Sequence, residues 1–135
     1  MATENDLPRG NWRKLAIGYD EALARLPDAL KAEGFGIITQ IDIQETFKAK
    51  LGVDFRRYRI FGACNPNLAH AALQLDLRVG VLLPCNVALY EESGGQAVVG
   101  AVDPMQTLAG AAESAELAEL ARNVSTKLER ALAQL

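Results

Sequence analysis

The sequence predicts a single α+β (mixed α/β) domain in which at least one pair of strands is antiparallel. Three observations carry this. Segments with apolar residues at period two alternate with segments at helical period. The turn Glu91-Glu92-Ser93-Gly94-Gly95 separates two apolar runs and reads as a hairpin. Leu117, Leu120, Val124, Leu128 and Leu132 recur at helical spacing, which predicts an amphipathic C-terminal helix over about 111–135. The element order that follows is β-α-β-α-β-α-β-β-α, with residues 1–10 a loose lead-in and 11–135 one domain.

The elements follow in order. Leu15, Ile17 and Tyr19 alternate and suit a half-buried strand over 12–19. Asp20 then reads as a helix N-cap, with Leu23, Leu26 and Leu30 as the buried stripe. Pro27 interrupts this stripe, so a kink or two short helices are expected, and Gly34 stands where the chain needs positive φ. The β-branched residues Ile37, Ile38, Thr39 and Ile41 predict a strand ending near Asp42. Asp42 with Glu45 resembles a capping box, Ile43, Phe47 and Leu51 share one helix face, and Gly52 closes that helix.

Arg57 to Ala63 alternates into a strand with one wetter face. Asn65 followed by Pro66 is a strong helix start, with Leu68, Ala71, Ala72 and Leu75 as its stripe. The run from Val79 to Tyr90 is apolar enough for a central strand, but Pro84 requires a bulge, a break or an open edge within it. Gln96 to Asp103 is the returning strand of the hairpin, and Asp103-Pro104 stops it.

Composition narrows the function classes. The 135 residues are 50% hydrophobic and 23% charged, and 14 Lys+Arg against 17 Asp+Glu leave a net charge of −3. About two-thirds of the unfolded surface of such a chain can leave water, enough for an independent core. The mild acidity gives no general attraction to nucleic acid, and no apolar run approaches a membrane span. Met1 to Gly10 lacks the pattern of a signal peptide, so a cytoplasmic location is expected.

The two cysteines, Cys64 and Cys85, are each followed by asparagine, Asn65 and Asn86. Cys64 precedes a helix start, where free amides and the macrodipole favour a thiolate. Against this stands the habit of free cysteines to be buried as small hydrophobes, most of all for Cys85, which at strand period shares a face with Val81, Leu83, Val87 and Leu89. A disulfide between them is arguable but not expected among reducing thiols. A metal site lacks ligands: the one histidine, His70, is turned about 600° along the helix from Cys64. An iron–sulfur cluster would need four cysteines, which only a symmetric dimer could pool. Arg56, Arg57 and Arg59 read as a solvated strand entry, and Glu91 and Asp103 as turn residues rather than a catalytic pair. Phosphate-loop, serine-hydrolase and zinc-protease motifs are absent, and the sequence names no cofactor.

Through GFGIITQID, RRYRIFGACNPNLAHAAL, VGVLLPCNVALYEE and AVDP, in that order, residues 15–108 resemble the bacterial and archaeal domain of unknown function 302. The resemblance implies a curved, mainly antiparallel sheet packed by helices, of the TATA-box-binding-protein-like type, often as a homodimer. It places Cys64, Asn65, Pro66, Cys85 and Asn86 on the family's motif positions and implies no activity. The leading expectation is a homodimeric small-ligand-binding protein with a pocket at Cys64, Asn65, Pro66, Cys85 and Asn86, with His70 nearby. One alternative is a thiol-dependent redox or sulfur-transfer enzyme using Cys64 as nucleophile, assisted by Cys85 or His70; another is a structural or adaptor dimer without ligand.

Overall fold

The computed structural model describes residues 11–111 and 114–135. The expected lead-in, residues 1–10, lies outside them. The chain runs β1 (Asn11–Gly18), α1 (Tyr19–Ala32), β2 (Gly36–Asp42), α2 (Ile43–Leu51), β3 (Tyr58–Cys64) and α3 (Pro66–Leu75). A 3-10 helix (Leu77–Leu82), β4 (Cys85–Glu91), β5 (Gln96–Ala101), α4 (Pro104–Ala111) and α5 (Ala115–Ala133) complete it. The five strands form one antiparallel sheet in the order β1-β5-β4-β3-β2.

Register explains why one sheet face is core. Phe61 and Ala63 on β3 lie opposite Val87 and Cys85 on β4. Val87 and Leu89 in turn lie opposite Ala101 and Val99 on β5. These residues are all buried, together with Leu26 and Leu30 of α1 and Val124, Leu128, Ala131 and Leu132 of α5. Strand alternation sends Tyr58, Tyr90 and Trp12 to the other face. There the Tyr58 and Tyr90 rings stack at 5.3 Å, and the Trp12 ring lies 6.4 Å from Tyr90. Gly100 is the residue that admits this indole, because a Cβ there would stand 2.3 Å from the ring.

A second apolar cluster joins Ala72 of α3, Val79 of the 3-10 helix, Leu108 of α4, and Leu117 and Ala121 of α5. Helix α5 therefore serves both clusters, Leu117 and Ala121 in one and Val124 to Leu132 in the other.

Local signals account for most boundaries. The Asp42 carboxylate accepts from the Glu45 amide and Gly52 closes α2 at φ 65°. Gly34 adopts φ 87° after α1, as its position requires. Other expectations are corrected. Helix α1 begins at Tyr19 without a side-chain cap, and the Tyr19 amide donates instead to the Gly95 carbonyl at 3.2 Å. Asp20 thus sits in the first turn. Pro27 does not split α1 in two: a single helix spans 14 residues, and Pro27 lies on its exposed side, where a freed carbonyl can be hydrated.

The run from Val79 to Tyr90 is not one strand. A 3-10 turn occupies Leu77–Leu82, the Leu83-Pro84 peptide is cis, and pairing starts only at Cys85. Val81 is consequently 89% exposed and does not share the Cys85 face, and Leu75 of α3 is exposed too. The C-terminal stripe is core as expected, but the helix that bears it starts at Ala115, where the Ser114 hydroxyl accepts from the Leu117 amide. The preceding helix α4 is additional. Asp103 stops β5 and also accepts from the Met105 amide at 2.9 Å, so the Asp-Pro pair both ends a strand and begins a helix.

Leu128 is 1% exposed at the centre of the main cluster. Leu128→Ala is expected to lower the unfolding free energy by about 2–5 kcal/mol. A denaturation midpoint equal to that of the parent chain would remove α5 from the core.

Candidate functional site

Cys64, Asn65 and Pro66 stand where β3 gives way to α3. Asn65 is the N-cap of α3, its side-chain oxygen accepting from the Leu68 amide at 3.3 Å, with Pro66 in the first turn. Its side-chain nitrogen donates to the Glu33 carbonyl at 3.5 Å, tying the end of α1 to the start of α3. Gly34 is needed for this approach, since a Cβ at Gly34 would stand 2.8 Å from that nitrogen. Both ends of the Asn65 side-chain amide are thus already engaged by the protein.

Beyond this junction lies a cavity of about 310 Å³. Ala63, Cys64 and Asn65 form one wall, Pro84 and Cys85 another, and α3 contributes Leu68, Ala69, Ala72 and Leu73. Leu82 and Leu83, Thr107 and Leu108 of α4, and Leu120 and Val124 of α5 close it. The cavity takes residues from both apolar clusters and occupies the seam between them. Its lining is almost wholly apolar, with the two thiols, Asn65 and the Thr107 hydroxyl as its polar points.

Of the six residues singled out, Cys64, Asn65 and Cys85 line this space and Pro66, His70 and Asn86 do not. Asn86 lies opposite Gly62 on the other sheet face and is exposed, its backbone carbonyl accepting from the Val102 amide. Pro66 is exposed at the start of α3. His70 is exposed on α3, with its Nε2 3.1 Å from the Gln74 side-chain nitrogen. Sequence reasoning missed Leu73, Leu83, Thr107 and Leu120. The leucines' only signal is apolar periodicity, which does not distinguish a cavity wall from packed core, and Thr107 carries none.

Both cysteines are free thiols, Cys64 half-buried and Cys85 buried. Burial, with a smaller contribution from the neighbouring Cys64, pushes the Cys85 thiol up to about 11. At neutral pH Cys85 therefore carries its proton and is a weak nucleophile and a weak base. Among the described residues no cluster of three or more His, Cys, Asp or Glu side chains is placed to hold a metal ion.

The basic cluster at the opposite end of β3 is matched by acids. Arg57 bridges Asp20 at 2.6 Å and Glu91 at 2.7 Å, and its guanidinium lies over the Tyr19 ring. Arg59 stands 3.7 Å from Asp42, and Arg56 lies over Tyr90. Glu91 and Asp103 each serve their own partners, Arg57 and the start of α4.

Residues 13–135 match the family described as Domain of unknown function DUF302. The chain belongs to the DUF302 family. A structural neighbour agrees: the crystal structure of an uncharacterized conserved DUF302 protein from Bacillus stearothermophilus is 32% identical, with a TM-score of 0.82. The alignment covers 91% of this chain and 94% of that one. No curated protein matches the sequence. The DUF302 match extends past the segments that carry the resemblance and includes α5, the helix that closes the cavity.

The raised Cys85 pKa makes a prediction for this DUF302 domain. The unfolded thiol loses its proton near 9 and the folded one near 11, so the folded state holds more protons in that window and stability falls as pH rises through it. The Cys85 contribution to that fall is about 2 kcal/mol. Denaturation of Cys85→Ala beside the parent is expected to show a flatter loss between pH 9 and 11. Parallel curves would mean that Cys85 is not buried as a thiol.

Proposed function

We propose that this DUF302 domain is a small-molecule-binding protein whose ligand is a compact, mainly apolar compound held between α3, the 3-10 helix, α4 and α5. The observation that carries the reading is the cavity at the seam of the two clusters. At about 310 Å³ it lies at the small end of the roughly 300–1,000 Å³ typical of ligand sites. The ligand would gain from burial of apolar surface, at about 25 cal/mol per Å², rather than from charge. The thiols and Thr107 would orient it. Asn65 contributes by holding the wall in place, because its own bonds are taken.

The neutral fluorophore 1-aminoanthracene serves as probe. Its emission is expected to shift to the blue and strengthen on binding at one site per chain, and Ala69→Trp, which places an indole in the space, is expected to weaken binding at least tenfold. The conservative Ala69→Ser should bind as the parent does. Equal binding by Ala69→Trp, in a variant that melts as the parent does, would contradict the reading.

Self-association is a second part of the proposal, favoured by the edge of the sheet. Strand β2 has an open side, and Ile38 and Ile41 are 61% and 48% exposed along it. An edge of this kind is a ready template for a second copy. Sedimentation is expected to show a dimer for the parent chain and a monomer for Ile41→Lys. A parent chain that sediments as a monomer at high concentration would exclude this arrangement.

A further inference from the structure

We infer that Cys64 and Cys85 form a dithiol pair which hydrogen peroxide converts into an intrachain disulfide across the wall of the cavity, and which a thiol reductant restores. The inference goes beyond ligand binding and concerns the thiols of the unliganded cavity, whatever compound that cavity takes.

Backbone register comes first. Ala63 lies directly opposite Cys85, so Cys64 is one residue past the facing position. With antiparallel strands about 5 Å apart and a rise of about 3.3 Å per residue, that offset puts the two Cα atoms about 6 Å apart. Disulfides take Cα separations of about 4.4–6.8 Å. Simple alternation would send Cys64 to the face opposite Cys85. Cys64, however, is the last residue of β3, and both cysteines line the same cavity. The cavity wall also leaves the sulfur atoms room to change rotamer, which a packed core would not.

The two thiols differ as the chemistry requires. Cys64 is half-buried and reachable by a small oxidant, whereas Cys85 is buried. The Cys64 thiolate attacks one peroxide oxygen, the O–O bond breaks, and the leaving oxygen takes a proton to depart as water, leaving a sulfenic acid. Cys85, a weak nucleophile while protonated, passes its proton to the sulfenic hydroxyl as its sulfur attacks the Cys64 sulfur; the S–S bond forms, the S–O bond breaks and the oxygen leaves as water. Two thiols lose two electrons in total and one peroxide is reduced to two waters. A thiol reductant reverses the change.

The test treats the reduced full-length chain with hydrogen peroxide, blocks remaining thiols with iodoacetamide, and reads intact mass and proteolytic peptides. The expected result is the covalent mass of one chain less two hydrogens, with alkylatable thiols falling from two to none and a crosslinked peptide pair joining Cys64 to Cys85. Dithiothreitol should restore both thiols. In Cys85→Ser, Cys64 is expected to gain oxygen and remain uncrosslinked within its own chain. A parent chain in which Cys64 proceeds to sulfinic acid while Cys85 stays alkylatable after unfolding would overturn the inference. So would crosslinking only between chains, or two thiols that both survive the oxidant.

Discussion

The fold around the cavity depends on how β3 ends. A strand that stops in the middle of a sheet must turn its chain away without leaving unpaired amides, and Asn65 does this by accepting from the Leu68 amide while Pro66 removes a donor in the first turn. The same side chain donates to the Glu33 carbonyl, so the exit of α1 and the entry of α3 are fixed against each other. Gly34 makes that contact sterically possible. Remove the junction and α3 loses its anchor. The second apolar cluster, which rests on α3 through Ala72, would then lose its position relative to the sheet.

The cavity follows from that geometry. Helices α1 and α5 fill the face of the sheet, while α3, the 3-10 turn and α4 pack beyond its end. Among the described residues, α5 gives buried side chains to both groups. Where two separately packed clusters share one helix, the side chains between them must satisfy two directions at once, and the space left is lined by Leu73, Leu83, Leu120 and the two cysteines. Its composition sets its chemistry: a space with few polar groups, one of them a thiol held protonated by burial, offers no charged partner to a buried anion.

Much of this was legible in the sequence because it rests on short-range chemistry. Asp42 with Gly52, Gly34 and Asn65-Pro66 are local signals, and each stands where its spacing places it. The C-terminal stripe was equally legible, because Leu117, Val124, Leu128 and Leu132 face the core at helical period. Failures came where a local pattern had two readings. Val79 to Tyr90 is apolar throughout, so periodicity could not show that its first half is a 3-10 turn with Val81 in solvent. Asp103-Pro104 was read as a stop and is also a start. Of the echoed pairs Cys64-Asn65 and Cys85-Asn86, three residues line the cavity. Alternation along β4 nevertheless sends Asn86 to the opposite face from Cys85, and the leucines that enclose the cavity are set by tertiary packing alone.

The central claim is that the seam between the two clusters is a ligand site rather than a packing fault. A crystal structure of the protein grown with 1-aminoanthracene tests this most directly. The account predicts the fluorophore in the space bounded by Cys64, Leu73, Cys85 and Leu120, with β3, α3 and α5 placed as they are here. Leu73, Leu82 and Leu83 collapsed into that space, with the probe bound elsewhere on the surface or not at all, would contradict it.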